Sequence, residues 1–215
     1  MQERFYIYLL LLCIIVFIGL IRFRKLTIIY KILVVFLAYT FLSEVISRVL
    51  IIEFGNSCPA YHLFVPIQFF FINAIYSFLF RRNDSIFFSW TPVAFFIISI
   101  INTLFFQKIT IVPTNVLLIS SLLFILYSLF FFKAMFDSVS RDSLLRRSDF
   151  WFNSAILILF TITFLYWSFY NYLIRKTIST KPIATFIYLI NILYYIMIWI
   201  ALTFNYRRSQ TEANE

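Results

Sequence analysis

Two glycines, two cysteines, one histidine and nine acidic residues stand in a chain of 215. Each scarcity removes a class of chemistry. Gly19 and Gly55 alone cannot build a glycine-rich loop that wraps backbone N–H groups around a phosphate. Nor can they form a GxxxG seam, so helices in this chain must pack through Ala, Ser, Thr and interlocking large side chains. Cys13 lies inside an apolar run and Cys58 in a loop, which argues against a disulfide. No CxxC or Cys/His spacing suits a metal, and no acidic pair lies within an apolar run to form a metal cage. There is no HExxH, no intramembrane aspartate pair and no Ser/His pair at matching depth. The last apolar run holds no lysine for a retinal Schiff base. The chain therefore reads as no enzyme, with no catalytic residues, no metal ligands and no cofactor.

What the chain has is apolar bulk. Hydrophobic residues make up 63%, charged residues 13%, and mean hydropathy is +0.94. A soluble domain is about 45–50% apolar and about 25% charged. A chain this apolar cannot cover a water-soluble globule with polar surface. A soluble enzyme, a nucleic-acid module and a disordered chain are excluded, and an integral membrane protein remains. The net charge of +9 would suggest nucleic acid in a soluble domain. Here the basic residues sit in short loops beside apolar runs, so the charge speaks for membrane topology and no nucleic-acid partner is expected.

Seven apolar spans are legible, at about 5–21, 27–52, 61–80, 86–106, 113–135, 150–174 and 183–206. Each is near the roughly 20 residues that cross a bilayer. The runs are continuous rather than alternating, so helices are predicted and a barrel is not. The expected fold class is all-α: a polytopic bundle of seven transmembrane helices in one domain, 1–215. The first span is longer than the apolar region of a signal peptide and lacks a small-residue cleavage site, so it reads as a retained helix. Basic residues in the loops after spans 1, 3 and 5 and in the C-terminal tail outnumber those on the other side two to one. That bias predicts the N-terminus outside and the C-terminus in the cytoplasm of a bacterial inner membrane. The lipid bilayer is the first expected partner.

Ionisable and polar residues inside spans carry the functional signal, because each is costly there. Glu44 and Arg48 stand at i,i+4 in the second span, the favourable order for a helical ion pair. They serve either a ligand, ion or proton site or a structural pair that lowers the cost of insertion. The third span adds His62 and Gln68, the sixth Tyr166 and Tyr170, and the seventh Tyr188 and Asn191 on one helical face. These are the expected ligand-binding residues, in an outward-opening pocket. Hydrogen bonding between helices is the alternative for each of them. Pro66 and Pro92 either open a first helical turn or bend a helix.

The stretches FLSEVISRVLIIEFGNSCPAYHLFVPIQFFF and SDFWFNSAILILF resemble a group of seven-helix inner-membrane proteins of Bacteroidota. They are similar to membrane modules that precede some histidine kinases. The resemblance rests on Glu44, His62, Pro66 and Gln68, and on Phe150, Trp151, Asn153 and Ser154. It implies no activity. This sequence contains no kinase domain, so any signal would pass through a separate partner. Pro66 and Gln68 are separated by Ile67, and no second copy occurs, so the pattern of PQ-loop transporters is not met.

The leading expectation is a non-catalytic sensory or ligand-binding module that meets a signalling protein at the loop 134–149. The alternatives are a small-solute or ion transporter with Glu44 as coupling carboxylate, and an assembly subunit of a membrane complex.

Overall fold

A computed structural model describes residues 2–80, 86–137, 144–176 and 181–214. The described residues form seven helices and no strand. These are α1 (Gln2–Ile21), α2 (Ile28–Phe54), α3 (Cys58–Leu79), α4 (Ile86–Ile101), α5 (Thr114–Asp137), α6 (Ser148–Arg175) and α7 (Lys181–Asn214). α4 continues into a π turn, Asn102–Phe106. Six helices are long and apolar enough to cross a membrane. The remaining apolar stretch, Phe5–Ile21, is shorter. At 1.5 Å per residue it spans about 25 Å, against a hydrocarbon core of about 30 Å.

Several boundaries differ from the expected spans, for local reasons. α3 begins at Cys58 rather than near Tyr61, because Asn56 Oδ1 accepts the Cys58 N–H at 2.8 Å and Pro59 sits in the first turn. α2 is closed by Gly55, whose φ of +69° is the left-handed conformation that glycine adopts cheaply after a helix. α7 runs past its apolar span to Asn214. Of the loop 134–149, α5 takes residues through Asp137, and Leu144–Arg146 form a short 3₁₀ turn. The Trp151 indole donates to the Leu145 carbonyl at 2.8 Å and folds that turn over the start of α6. Residues 138–143, with Ser138 and Ser143, lie outside the described residues.

The chain divides into two compact units: Met1–Tyr30 with Ser121–Glu215, and Lys31–Ser120. In the first, α7 packs on both α6 and α1. The Phe124 and Phe160 rings meet edge to face at 4.6 Å, joining α5 to α6. Nearby, the fully buried Asn153 donates to the Ser128 carbonyl at 3.0 Å. One end of this unit is tied by reciprocal polar pairs. Asn205 Oδ1 accepts the Thr27 N–H at 3.1 Å, and Asn205 Nδ2 donates to Thr27 Oγ1 at 3.2 Å. Tyr30 donates its hydroxyl to Asp149 at 3.0 Å. Arg22 and Lys25 lie over the Tyr206 ring at 4.7 and 5.8 Å.

In the second unit, α3 packs on α4. The Phe69 and Phe95 rings stack at 4.0 Å between centroids, and both are buried. This stack fixes how α3 and α4 sit on each other, and with them the site described next.

Candidate functional site

The site begins with a proline. In a helix, the N–H of residue 92 would bond to the carbonyl of Phe88 four residues before it. Pro92 has no N–H and stands seventh in α4, beyond the first turn, so the Phe88 carbonyl loses its helical partner. Asn73 of α3 supplies the replacement: its Nδ2 donates to Phe88 O at 2.8 Å, and both residues are buried. Within a bilayer a bare carbonyl costs several kcal/mol, so this bond is worth more here than its length suggests. Pro66, also inside its helix, removes the corresponding bond to the His62 carbonyl.

Both prolines line a groove of about 660 Å³ between α3 and α4. Its walls carry Ile67, Phe70 and Ala74 on one side and Val93 and Phe96 on the other. The geometry follows from position round the helices. Phe69 and Phe95 point at each other and close the gap, while Phe70 and Phe96, one residue on, point away and form a rim. Phe70 is 57% exposed and Phe96 51%, so the groove opens sideways. The Asn73–Phe88 hydrogen bond lies in its wall. A concave, mostly apolar space with a few placed polar groups, in the range of about 300–1,000 Å³, is the usual form of a small-ligand site.

A second polar construction lies where α2 turns into α3 and α4 into α5. His62 is held at both ring nitrogens, Nδ1 2.7 Å from Thr103 Oγ1 and Nε2 2.9 Å from the Ile111 carbonyl. A carbonyl only accepts, so Nε2 carries a proton. The Thr103 hydroxyl also donates to the Ser99 carbonyl at 2.9 Å. Asn56 Nδ2 donates to the neighbouring Thr110 carbonyl at 2.9 Å. Gln107 completes the knot. Its Oε1 accepts from Asn102 Nδ2 and from the Asn115 N–H, each at 3.1 Å, and its Nε2 donates to Thr114 Oγ1 at 2.7 Å. The Gln107 N–H bonds to the Asn102 carbonyl at 2.7 Å, which is the i→i−5 bond of the π turn.

His62 is therefore a strut from α3 to the α4–α5 connection, between the Thr103 hydroxyl and the Ile111 carbonyl. Replacing it with leucine should speed amide exchange across residues 107–113 by roughly tenfold, the effect of losing a bond of about 1–1.5 kcal/mol. Hydrogen–deuterium exchange in lipid nanodiscs reads this directly. Unchanged exchange there would mean Asn56 and Gln107 hold the loop without it.

The residues expected from sequence fall in both units. Glu44, Arg48, His62 and Gln68 belong to Lys31–Ser120. Glu44 and Arg48 are half-buried on α2, and Gln68 is half-buried on α3. Leu37 and Thr40 on the same stripe of α2 are buried, and Thr40 donates to its own helix at Phe36 O, 2.9 Å away. Tyr166, Tyr170, Tyr188 and Asn191 belong to the other unit. Tyr166 and Tyr170 meet edge to face at 5.5 Å, with Trp167 packed against both. Tyr188 and Asn191 are half-buried on α7, and Asn191 donates to its own helix at Ile187 O, 2.9 Å away. None of these residues lines the α3–α4 groove. Among the described residues, no group of three or more His, Cys, Asp or Glu is placed to hold a metal ion.

Sequence reasoning missed the groove, Gln107 and Asn56. A signal existed for one part. A proline well inside an apolar span strips a carbonyl that another span must satisfy, and Asn73 was available to do so. Which asparagine meets which carbonyl is not written in one sequence.

Comparison with protein-family models, with curated proteins and with solved structures gave no match, and what the helices themselves establish is an integral membrane protein of several apolar helices.

Proposed function

We propose that this protein is a non-catalytic sensory module of the bacterial inner membrane. It takes an apolar or lipidic ligand from the bilayer into the groove between α3 and α4, and signals through a separate partner. The observation that carries the reading is the groove itself: a sideways-opening space of about 660 Å³ in two helices that are long and apolar enough to cross a membrane. A ligand reaching it needs no path from water. The two-to-one bias of basic residues supports an N-terminus outside and a C-terminus in the cytoplasm. The loop 134–149 is then cytoplasmic and available to a signalling protein.

The test is photolabelling of the full chain in nanodiscs with a fatty acid that carries a diazirine in its chain, mapped by mass spectrometry. Label is expected to concentrate on Ile67, Phe70, Val93 and Phe96. The comparison positions are Leu129 and Phe169, which are 51% and 59% exposed on other helices. Equal label at both sets would show ordinary lipid contact and sink the reading.

A second reading, a small-solute or ion transporter, is favoured by one observation: a half-buried carboxylate, Glu44, in a membrane-length helix. It requires pH-dependent flux in proteoliposomes that Glu44→Gln abolishes. Flux equal to that of empty vesicles would end it.

A further inference from the structure

We infer that the end of the bundle where α1 meets α7 binds the phosphate of an anionic phospholipid, between Arg22 and Lys25 beside Tyr206. The site is separate from the groove between α3 and α4 and does not rest on it.

The site is built by the fold of one short segment. α1 ends at Ile21, and Phe23–Lys25 form a 3₁₀ turn that packs on α7. The residues after this turn are held down. Leu26 is buried, and Thr27 is bonded to Asn205 of α7 through its N–H at 3.1 Å and its hydroxyl at 3.2 Å. Asn205 directly precedes Tyr206, so the same clamp brings the cations of the turn onto the next ring. Arg22 and Lys25 stand 4.7 and 5.8 Å from the centre of that ring. Among the described residues neither is paired with a carboxylate. Asp149, at the same end, is held by the Tyr30 hydroxyl at 3.0 Å and by Ser148 at 3.4 Å.

Two positive charges gathered at one ring repel each other, and an anion between them turns that repulsion into attraction. A guanidinium resting on an aromatic face keeps its N–H edge for a planar pair of oxygens, and phosphate presents such a pair. Lys25 adds a compact charge with three donors. Arg24 is exposed in the same turn and adds to the field.

The surroundings select a lipid over a soluble phosphate ester. Leu10, Ile14, Phe17 and Ile21 are all exposed and lie at i, i+4, i+7 and i+11, one face of α1 that leads to Arg22. An acyl chain can lie along this face while its phosphate meets the cations. The apolar stretch Phe5–Ile21 is shorter than the hydrocarbon core, and a short span draws the headgroups toward its ends. Choline would bring a third positive charge to the site, so an anionic headgroup is preferred to a zwitterionic one.

The experiment titrates the full chain, purified in an uncharged maltoside detergent, with dioleoylphosphatidylglycerol. Bound lipid is counted by native mass spectrometry. Such micelles have no charged surface, so a charge effect read there is local to the protein. Dioleoylphosphatidylcholine has the same chains and a choline cation. Glycerophosphoglycerol has the anionic headgroup and no chains. One phosphatidylglycerol per chain is expected, bound roughly tenfold more tightly than phosphatidylcholine. Glycerophosphoglycerol should bind weaker by about a hundredfold or more, because its chains are gone. Arg22→Gln and Lys25→Gln should each weaken phosphatidylglycerol about fivefold, the effect of one basic residue at a headgroup. Lys133→Gln removes the same charge from an exposed place on α5 and should change binding by less than about twofold. Tyr206→Leu keeps both cations and removes the ring that gathers them, so binding should weaken about threefold. Lys25→Arg keeps the charge and should bind within about twofold of wild type, which separates loss of charge from loss of fold.

Equal binding of the two lipids, or equal effects of Lys133→Gln and Arg22→Gln, would overturn the site. Unchanged binding in Tyr206→Leu would remove the ring from it. Glycerophosphoglycerol bound as tightly as the lipid would overturn the phospholipid in favour of a soluble phosphate ester.

Discussion

Phe69→Ala is expected to destabilise the folded chain by about 3 kcal/mol, the low end of the range for emptying a buried phenylalanine site. Phe69 is fully buried and stacks on Phe95 at 4.0 Å. The low end applies because a helix already in lipid keeps its side chains in hydrocarbon when the bundle comes apart. The transfer part of the usual cost is therefore small. What remains is the cavity and the dispersion contacts that the ring loses. The neighbouring Phe70, 57% exposed, is the control, and Phe70→Ala should stay within about 0.5 kcal/mol. Thermal denaturation in one detergent, with both variants side by side, makes the measurement. Equal losses would mean that the stack does not hold α3 to α4. Because the stack sets the spacing of the two helices, Phe69→Ala should also abolish preferential photolabelling of the groove.

Gln107→Leu is expected to cost about 2 kcal/mol, several times the roughly 0.6 kcal/mol of an average hydrogen bond between membrane helices. The difference lies in the number of groups it serves. One side chain accepts from Asn102 Nδ2, caps the Asn115 N–H in the first turn of α5, and donates to Thr114 Oγ1. Loss of an N-cap alone costs typically about 1 kcal/mol. Thr114 is buried and cannot turn to water, whereas Asn115 is exposed and can. Asn115 is also partly held by its own bond to Asn102 Oδ1 at 3.1 Å. Those two facts set the figure between one bond and three. Reversible unfolding in mixed detergent, with Gln107→Glu as a second variant that keeps the acceptor, tests it. Gln107→Glu should retain the α5 cap and lose only the donation to Thr114. A loss in Gln107→Glu as large as in Gln107→Leu would refute the cap.

The two units differ in how one end of each is tied. In the unit of Lys31–Ser120, the loop-side knot is built from amides, hydroxyls and one imidazole, that of His62. In the other unit, the end with Arg22, Lys25 and Tyr206 uses a carboxylate, a phenol and an asparagine–threonine pair. Several polar residues within the helices bond to the protein itself. Thr40 and Asn191 return to their own helices. Asn73 and Asn153 cross to neighbouring ones. In a bilayer this is the cheapest use of an amide, because no water competes for it.

The sequence by itself determined the class of protein and nearly all of its helices. Composition excluded a soluble fold, and the length of each apolar run placed a helix, because a backbone in hydrocarbon has no other way to satisfy its N–H and C=O groups. Helix ends were legible to within about a turn, except that α7 runs on to Asn214. Asn56 and Pro59 moved the start of α3 through local interactions that hydropathy does not register. The tertiary structure alone decided where the groove lies. A groove is the gap left between two helices, set by which ring faces which, and Phe69 and Phe70 are equivalent in any one-dimensional reading. It also decided that Asn73 answers Pro92. Both residues were visible in the sequence, but their meeting depends on the rotation of α3 against α4, which is fixed by packing across helices and not by the chain order of either one.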